Sequence, residues 1–358
     1  MNRVLSFIIF FSIFFSIYLA MHYYVFWRMS ILLNISRNIW FYAAVVALAL
    51  SFPVTSLIER FLDGPVCRLF YTLAATWLGA LFLMLCLLAV YEVLRPFVKL
   101  SSPAVGIAVI SITLILVVYG ILNASILKVH EIELPVPDIK DEVSIVQLSD
   151  IHLGTIHDAH YLRRIVDEVN GLDPDMVLIT GDLVDGSGRL DDNSLAPFKD
   201  MKAKMYFATG NHETYEGLDI MMSLLNKTKI NVLRNEVAHY KGIQIVGLDN
   251  PGEGIRDQNL SLKHMKIDKD VPAVLMYHPP LGFADAVNAG IDLQLSGHTH
   301  RGQIMPFNIF TRMFYKHTYG LYEKDGAYLY VSSGTGTWGP PMRIGSNSEI
   351  VLLHLKKK

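Results

Sequence analysis

Four apolar runs in the first third of the chain constrain its fold more than any other feature. Each is close to the ~20 residues that an α-helix needs to cross the hydrocarbon core of a bilayer. Tyrosine and tryptophan residues cluster near the run ends, where their amphipathic rings favour the headgroup layer. We therefore predict four transmembrane helices, over the runs Val4–Val25, Ile39–Ile58, Leu69–Val90 and Ala104–Leu127.

The first of these runs also stands where a secretory signal peptide would stand. It is long and strongly aromatic, and no clear small-residue cleavage site precedes Tyr23 and Tyr24. We therefore expect it to be retained as a span rather than cleaved.

The basic residues around the runs leave the orientation in the membrane open. Four fall on each side: Arg3, Arg60, Arg68 and Lys128 on one, and Arg28, Arg37, Arg95 and Lys99 on the other. The positive-inside count is therefore tied. Because a short amino terminus carrying Arg3 favours starting inside, an even number of spans returns the rest of the chain to the cytoplasm. We predict a multi-pass protein of the cell (inner) membrane with a cytoplasmic second half.

Charged residues are distributed unevenly along the 358-residue chain. Residues 1–127 hold seven Lys/Arg and three Asp/Glu, which leaves 24 basic and 30 acidic residues for the remainder. This remainder reads as a soluble domain with a mild acidic excess, which argues against nucleic acid as a partner. The two cysteines, Cys67 and Cys86, lie in or beside apolar runs, so they offer neither a disulfide framework nor a thiolate metal site.

The stretch 128–142 separates the two halves. It contains Pro135 and Pro137 and alternates polar with apolar residues, which suits an extended linker or an edge strand. We therefore predict a four-helix transmembrane anchor over residues 1–127, a linker over 128–142 and a catalytic domain over 143–358.

Five short apolar runs in this second domain each end in residues that can bind a metal ion. The runs are Val143–Leu148, Met176–Thr180, Met205–Thr209, Ala273–Tyr277 and Ile291–Ser296. They lead, in that order, into Ser149-Asp150-Ile151-His152, Gly181-Asp182, Gly210-Asn211-His212-Glu213, His278 and Gly297-His298-Thr299-His300. Each motif alone is weak, since a Gly-Asp after a strand is ordinarily a turn and a single His is ordinarily a hydrogen-bonded loop residue. Their shared position after a strand-like run indicates one site.

Helical patterns between these runs define the fold class. Amphipathic segments occur at Tyr161–Val169 and Ile220–Leu225. Strands that alternate with helices predict an α/β layer structure, whose sites gather outside the carboxyl ends of the strands. A hairpin around Lys241-Gly242 and the runs Tyr328–Ser332 and Glu349–Leu355 add a second sheet. The prediction is an α/β protein: a multi-helix transmembrane segment followed by a two-sheet β-sandwich flanked by helices.

Carboxylate, amide and imidazole groups are mixed in the five loops. This mixture suits borderline divalent ions such as manganese, iron or zinc better than calcium or magnesium. Seven candidate ligands are too many for one tetrahedral ion but suit two ions that share a carboxylate: Asp150, His152, Asp182, Asn211, His278, His298 and His300. Two such ions lower the pKa of a bound water, give hydroxide near neutral pH and clamp the oxygens of a phosphoryl centre.

The set of motifs resembles the calcineurin-like metallophosphoesterase family, whose pattern is Asp-x-His, Gly-Asp-x-x-Asp, Gly-Asn-His-Glu, a lone His and Gly-His-x-His. Every element is present in that order, within residues 143–355. The resemblance implies the metallophosphoesterase fold and a hydrolase that acts on phosphoester or phosphoanhydride bonds. It assigns one metal ion to Asp150, His152, Asp182 and His300, and the other to Asp182, Asn211, His278 and His298. Asp182 would be the bridge.

The resemblance also implies roles outside the ligand set. His212 would contact the phosphate and protonate the leaving oxygen as the catalytic acid, a role for which imidazole is suited. Asp185 and Glu213 would orient the ligands and tune their basicity. Plain loop capping explains these two residues nearly as well.

Two further phrases resemble the membrane-associated bacterial branch of the family: Gly297–Gln303, and Ser333–Gly336 with Pro340–Arg343 close behind. That branch includes phosphohydrolases related to UDP-2,3-diacylglucosamine hydrolases, which cleave a pyrophosphate in lipid A precursors. The resemblance is therefore compatible with a lipid-linked substrate without requiring one. Arg301 stands where the commoner sequence has Gly, and it either contacts a substrate phosphate or points into solvent. Arg343 is a second candidate for contact with the substrate.

An aromatic segment follows the Gly-His-Thr-His loop. It consists of Phe307, Ile309, Phe310, Met313, Phe314 and Tyr315, with Arg312 and Lys316 interleaved. The pattern is typical of an interfacial lid or an acyl-chain contact. Apolar residues are more often core, so the favoured interpretation is a loop packed on the core.

Taken together, the residues and the resemblance predict a membrane-anchored phosphohydrolase with two divalent metal ions. Its partners would be the bilayer and a phosphorylated small molecule or a lipid-linked substrate. The alternative is a catalytically idle, membrane-tethered binding or scaffold module, which would be expected to have lost ligands. A transporter would carry acidic residues within its spans, whereas Glu59, Asp63 and Glu92 all lie at run ends.

Overall fold

The computed structural model describes residues 3–62, 64–97, 101–186, 190–250 and 262–357. It divides into two compact units: Met1–Ile121 with Pro340–Met342, and Leu122–Gly339 with Arg343–Lys358. Asp63 and Lys99 lie outside the described residues, and so does the side chain of Arg3.

The apolar runs form four helices in the first unit. These are α1 (Arg3–Leu32), α2 (Ile39–Ile58), α3 (Pro65–Leu94) and α4 (Ser102–Ser125). Asn38 begins α2 by accepting a hydrogen bond from the Phe41 amide, and α3 begins on Pro65, where no amide hydrogen is needed. Among the described residues, α2, α3 and α4 are long and apolar enough to cross a membrane. Three of the four predicted spans are thereby supported.

Three polar side chains are buried inside α1, which the sequence did not suggest: His22, Arg28 and Ser30, of which the first two contact α3. His22 is 1% exposed; its Nδ1 lies 3.0 Å from the Tyr18 carbonyl, and its Nε2 lies 3.2 Å from the Trp77 indole nitrogen of α3. Arg28 forms an ion pair with Glu92, also of α3. His22 and Arg28 therefore both have partners, as expected of contacts that hold two helices together.

The second unit contains two mixed β-sheets. The first has, in spatial order, β1 (Leu127–Val136), β12 (Ser348–Lys357), β2 (Val143–Leu148), β3 (Met176–Thr180), β4 (Lys204–Ala208) and β5 (Ile230–Val232). Strands β2 to β5 run parallel, and β12 is antiparallel to β2. The carboxyl ends of β2, β3 and β4 therefore lie at the same edge of the sheet.

The second sheet has a similar central arrangement. Its order is β10 (Gly320–Lys324), β11 (Ala327–Val331), β9 (Leu293–Ser296), β8 (Ala273–Met276), β7 (Ile243–Gly247) and β6 (Glu236–Tyr240). Strands β7, β8 and β9 are parallel. The predicted hairpin joins β6 to β7 through Lys241 and Gly242, whose φ angles of 48° and 73° suit a two-residue turn with both central residues left-handed.

Helices flank the two sheets. In chain order they are α5 (Ala159–Leu172), α6 (Asn211–Glu216), α7 (Leu218–Leu225), α8 (Phe283–Ala289) and α9 (Phe307–Phe314). Neighbouring strand residues face different cores: Ile145 packs between the two sheets, and Val146 packs under α5. Burial on both faces explains why these strands are continuously apolar. The predicted two-sheet sandwich flanked by helices is confirmed.

The stretch after the fourth run forms the edge strand β1 over Leu127–Val136. It pairs in parallel with β12, from Leu127 opposite Ser348 to Val136 opposite Lys357. Pro135 is tolerated there because an edge strand leaves backbone positions without a ladder partner. Of the two alternatives, linker or edge strand, the structure has the strand. The division into anchor, linker and catalytic domain remains a prediction.

The interpretation of the aromatic segment as a loop packed on the core is wrong. The segment forms helix α9, none of whose residues is buried. Its five large apolar side chains are all at least 48% exposed: Phe307, Ile309, Phe310, Met313 and Phe314. The apolar side chains remain exposed because α9 turns its polar face toward the rest of the unit.

Candidate metal centre

The five loops that follow the apolar strands converge at the carboxyl ends of both sheets. Asp150, Asp182 and Asn211 follow β2, β3 and β4, whereas His278 and His298 follow β8 and β9. Ligand candidates from two different sheets therefore face one another. Asp150 and His278 are fully buried, so their polar atoms need partners within the site.

Three side chains form the first ligand group. His152 Nε2 lies 3.0 Å from His300 Nε2, and His300 Nε2 lies 3.3 Å from Asp150 Oδ1. The third distance, from His152 Nε2 to Asp150 Oδ1, is 4.0 Å. Three donor atoms that converge this closely can hold one cation.

A second group lies beside the first. His278 Nε2 is 3.0 Å from Asp182 Oδ2 and 3.2 Å from His298 Nδ1. Asp182 Oδ2 is also 3.9 Å from His152 Nε2 in the first group. The Asp182 carboxylate therefore lies between the two ligand groups.

The backbone of the ligand residues is strained. Five of them have φ between 48° and 70°, in the left-handed region that side chains other than Gly rarely adopt: Asp150, His152, Asp182, His298 and His300. Each such residue costs on the order of 1–3 kcal/mol and persists only where its surroundings over-determine it. A cluster of this kind, all aimed at one point, indicates a functional site.

Two glycines make room for the carboxylates. A Cβ at Gly210 would lie 2.1 Å from Asp182 Oδ1, and a Cβ at Gly297 would lie 2.2 Å from Asp150 Oδ2. Both values are far below any normal contact. The Gly of the Gly-Asn-His-Glu motif and the first Gly of Gly-His-Thr-His are therefore required by packing against the ligands, not by turn geometry.

Hydrogen bonds set which imidazole nitrogen faces the site. His278 Nδ1 lies 2.8 Å from the Thr180 carbonyl oxygen. Because a carbonyl only accepts, His278 Nδ1 carries the proton and Nε2 is left for a ligand bond. His298 Nε2 lies 2.8 Å from the Tyr315 hydroxyl, which leaves Nδ1 facing the site. This carbonyl and this hydroxyl fix the orientation of the two rings.

The charges of the site are unevenly distributed. Burial alone would lower the pKa of His278, but the two neighbouring carboxylates raise it to about 10. Burial, with the His278 charge nearby, lowers the pKa of His298 to about 3. Burial also holds the pKa values of His152 and His300 well below the usual range. His152, His298 and His300 are thus neutral, which is the form of imidazole that binds metals. His278 is protonated because two carboxylates lie beside it, and a bound divalent cation would supply that positive charge in place of the proton.

These residues fit divalent metal ions. Asn211 Oδ1 is buried without a hydrogen-bond partner, although a buried amide oxygen ordinarily has one. An ion beside it would satisfy that oxygen. Neutral imidazoles, carboxylates and an amide oxygen together form a donor set for borderline divalent ions, and the structure favours none of these ions over the others.

His212 lies beside the ligand candidates. It belongs neither to the first ligand group, which contains Asp150, nor to the second, which contains Asp182. Its Nδ1 donates to the Asp185 carbonyl oxygen, and its Nε2 lies 3.9 Å from Asp182 Oδ2. The exposed rings of Tyr215 and Trp338 lie 5.0 and 5.9 Å from the imidazole. His212 Nε2 is therefore at the rim of the site, where a substrate would enter.

Asp185 and Glu213 contact the machinery in different ways. The Asp185 carboxylate lies 3.6 Å from His152 Nδ1. The fully buried Glu213 accepts hydrogen bonds from the amides of Gly210, Asp182 and Leu183. The bond to the Gly210 amide caps α6, and the bonds to the Asp182 and Leu183 amides fix the backbone that carries Asp182. One carboxylate therefore both caps the helix and orients a ligand.

The two arginines differ sharply in exposure. Arg343 is 0% exposed, and its guanidinium donates to the carbonyl oxygens of Ser333 and Gly334 and lies 3.4 Å from His300 Nδ1. No face of the Arg343 guanidinium is open to solvent, so Arg343 is not proposed to contact the substrate. Arg301 is half-buried and lines a cavity.

Some partners of the ligands left little trace in the sequence. Tyr315, which contacts His298, was visible only as part of an aromatic segment, because nothing in the sequence shows that the chain returns to the site directly after α9. Ser149 Oγ donates to Asp150 Oδ2 at 2.6 Å; its place directly before Asp150 was the only available signal.

Comparison with known proteins gives matches over both halves of the chain. A family model described as calcineurin-like phosphoesterase matches residues 143–302. A Bos taurus protein named "Transmembrane protein with metallophosphoesterase domain" is 33% identical over 358 aligned residues, covering 88% of this chain and 79% of that protein. The match extends beyond the residues covered by the family model.

Bacterial relatives match over a shorter length. An "Uncharacterized metallophosphoesterase" of Helicobacter pylori strain J99 is 36% identical over 240 residues, and the chain spans 64% of the length of that relative. Among solved structures, a dimetal phosphatase from Danio rerio aligns at 14% identity with a TM-score of 0.36, over 54% of this chain and 88% of that chain.

Proposed function

This chain belongs to the calcineurin-like metallophosphoesterase family, and on that premise we propose that it is a membrane-anchored phosphohydrolase that cleaves a phosphoester or pyrophosphate with two divalent metal ions. One observation carries the activity: two ligand groups, each with donor atoms within 4.8 Å of one another, lie side by side around Asp182. Helices α2 to α4 and relatives named transmembrane proteins support the membrane location.

The proposed ligand sets follow the two groups. One ion would be held by Asp150, His152, Asp182 and His300. The other would be held by Asp182, Asn211, His278 and His298. Manganese, iron and zinc all suit this mixture of nitrogen and oxygen donors, and availability decides among them. When bound, such a pair activates a water molecule and stabilises the charge that develops on the phosphoryl oxygens.

The protein's own residues orient the ligands and move the proton. His212 donates the proton from Nε2 to the leaving oxygen, because its Nδ1 is tied to the Asp185 carbonyl oxygen and only Nε2 faces the site. Arg343 positions His300, because its guanidinium lies 3.5 Å from the His300 carbonyl oxygen and 3.4 Å from His300 Nδ1. Asp185 plays the same part for His152, whose Nδ1 it faces.

Replacing His212 by Ala should leave both metal ions in place and lower kcat by about 10²–10⁴-fold, the usual contribution of a positioned acid. The loss should be larger for an alkyl leaving group, which must be protonated, than for p-nitrophenolate, which need not be. The measurement is kcat for two phosphodiesters that differ only in leaving group. His239→Ala, which removes an exposed imidazole on β6, is the matched control. Equal losses with both leaving groups would rule out the acid role.

For the location, we propose a multi-pass protein of the cell (inner) membrane with the metal centre in the cytoplasm. Four spans and an inside amino terminus give this topology. The substrate would then be a phosphorylated compound of the cytoplasm or of the inner leaflet, including a lipid-linked one.

Cysteine labelling of intact cells should confirm that sidedness. With Cys67 and Cys86 replaced by Ser, an impermeant maleimide should label Ser36→Cys in the exposed turn between α1 and α2, and should not label Asp325→Cys between β10 and β11. Permeabilised cells should be labelled at both positions. Labelling of Asp325→Cys in intact cells would place the metal centre outside.

The direct test of the activity is hydrolysis of bis(p-nitrophenyl) phosphate and p-nitrophenyl phosphate by the purified full chain. The protein is stripped of metal and then resupplied with manganese. We expect hydrolysis to disappear with the metal and to return with manganese. A folded chain that binds two ions and hydrolyses neither these compounds nor lipid-linked diphosphates would support the alternative, an idle membrane-tethered scaffold.

A further inference from the structure

A polar cavity of about 310 Å³ adjoins the metal centre. Tyr315 lines it and also holds the metal-ligand candidate His298 through its hydroxyl, at 2.8 Å. Arg301, which lines it as well, directly follows His300. Tyr315 is therefore a wall of the cavity and a partner of a ligand candidate at the same time.

The lining of this cavity is basic. Arg301, Arg312 and Lys316 contribute three cations, and none of the residues that line it is acidic. Within the described ranges, no carboxylate lies within ion-pair distance of any of the three. The Arg301 guanidinium lies 4.2 Å from the centre of the Tyr319 ring, which holds it by a cation–π contact and leaves its donors to a ligand. Three unpaired cations around a polar cavity attract an anion with more than one charge.

An ordinary surface helix packs its apolar face on the protein, whereas helix α9 packs its polar face and exposes its apolar one. At 100° per residue its apolar side chains occupy one side, and Asn308, Thr311 and Arg312 occupy the other. These three polar residues line the cavity, whereas Phe310 and Met313 on the apolar side are 48% and 73% exposed. The helix thus presents a polar wall to the cavity and an apolar face to its surroundings, which suits a ligand with a charged head and an apolar body.

We propose that the cavity formed by Arg301, Arg312 and Lys316 binds a second phosphate group of the substrate while the scissile phosphate lies at the metal centre. The inference rests on the proposed hydrolytic function and narrows its substrate class to compounds with two phosphates. A second phosphate carries up to two charges and several acceptor oxygens, which match the fork of an arginine and the point charge of a lysine. The shared chemistry is the phosphate group, whether it belongs to a lipid or to a soluble compound.

The test compares two substrates of the full chain. One is p-nitrophenyl propyl phosphate, and the other carries an additional phosphate at the far end of the propyl chain. We expect the wild type to have a KM for the second compound that is about tenfold lower or more, the effect of one or two charge-assisted hydrogen bonds. In Arg312→Ala/Lys316→Ala that KM ratio should fall to about one. Because both substrates are measured on the same protein, a general folding defect does not change the ratio.

Lys266→Ala, which removes an exposed cation away from the cavity, is the matched control and should keep the wild-type ratio. A ratio near one in the wild type, or an unchanged ratio in the double variant, would overturn the proposal while leaving the hydrolytic function intact. If the wild type hydrolyses neither compound, the hydrolytic function fails. The cavity is then tested by calorimetric titration with 1,3-propanediol bisphosphate: tenfold weaker binding to the double variant supports it, and equal binding overturns it.

Competition then identifies the source of the phosphate. Dihexanoyl phosphatidic acid and glycerol 3-phosphate share the headgroup and differ in acyl chains. Stronger inhibition by the lipid, reduced by Ile309→Ser/Met313→Ser on the apolar face of α9, would indicate a lipid-linked second phosphate. Equal inhibition by both compounds would indicate a soluble one. If neither inhibits the wild type, the cavity does not bind phosphate.

Discussion

Replacing Asp182 by Ala should remove both metal ions and reduce hydrolysis to the background rate, a loss of at least about 10³-fold. Asp182 Oδ2 lies 3.0 Å from His278 Nε2 and 3.9 Å from His152 Nε2, so one carboxylate serves both ligand groups. Even a residue that only supports a metal ligand costs about 10–100-fold when removed. Loss of a shared ligand also leaves the buried imidazoles without the negative charge that makes a dication favourable there.

The measurement is metal content by mass spectrometry together with hydrolysis by the same preparation. Asp325→Ala, which removes an exposed carboxylate from the turn between β10 and β11, should keep two ions and full activity. Asp182→Asn retains the shape of the side chain and separates charge from packing; we expect it to lose metal as well. Survival of metal and activity in Asp182→Ala would show that the assignment of the bridge is wrong.

Adding one methyl group at Gly210 should have an effect nearly as large. The new Cβ of Gly210→Ala would lie 2.1 Å from Asp182 Oδ1 and 2.5 Å from the Asp182 amide nitrogen. Because the backbone is one of the two obstacles, a rotamer change of Asp182 cannot relieve the contact. Displacement of a reacting group by about 1 Å costs on the order of 10²-fold in rate, and overpacking costs about 1–3 kcal/mol of stability.

Kinetics and thermal unfolding of the full chain measure these two effects. Gly171→Ala is the matched control, since a Cβ there has no atom within 4 Å, and it should be neutral in both measurements. Gly210 itself has φ of −102°, which Ala adopts freely. A fully active Gly210→Ala protein would therefore mean that Asp182 is not held where the structure places it.

The strands that end at the site could be predicted from the sequence because the same residues carry two signals. Val143–Leu148 and Met176–Thr180, both confirmed as strands, are continuously apolar since each faces two cores. Each then ends in a polar residue that no core would accept. Parallel pairing places these ends at one edge, so Asp150 and Asp182 come together without any further information.

The sequence could not predict which side chains of the site region are exposed and which are buried. The apolar residues of α9 are as compatible with a core as with a surface, and only the tertiary structure shows that Thr311 and its neighbours face inward. Arg343 illustrates the reverse case. A charged residue near a site motif is usually exposed, but here the backbone carbonyls of Ser333 and Gly334, which precede Arg343 in the chain, accept from the guanidinium and compensate its burial.

The sequence also could not predict the pairing of strands that lie far apart along the chain. β1 pairs with β12, more than two hundred residues away along the chain, and alternation alone could not distinguish an edge strand from an extended linker. The contact of Tyr315 with His298 depends on the same kind of information, because α9 has to form and turn before the two residues meet.

The central claim is that two metal ions share this centre, and an anomalous difference map from crystals of the manganese-loaded full chain tests it most directly. Two peaks are expected, one among Asp150, His152 and His300 and one among Asp182, His278 and His298, with Asp182 in contact with both. Metal pairs of this kind lie roughly 3.5–4 Å apart. A single peak, or two peaks away from these side chains, would contradict the account.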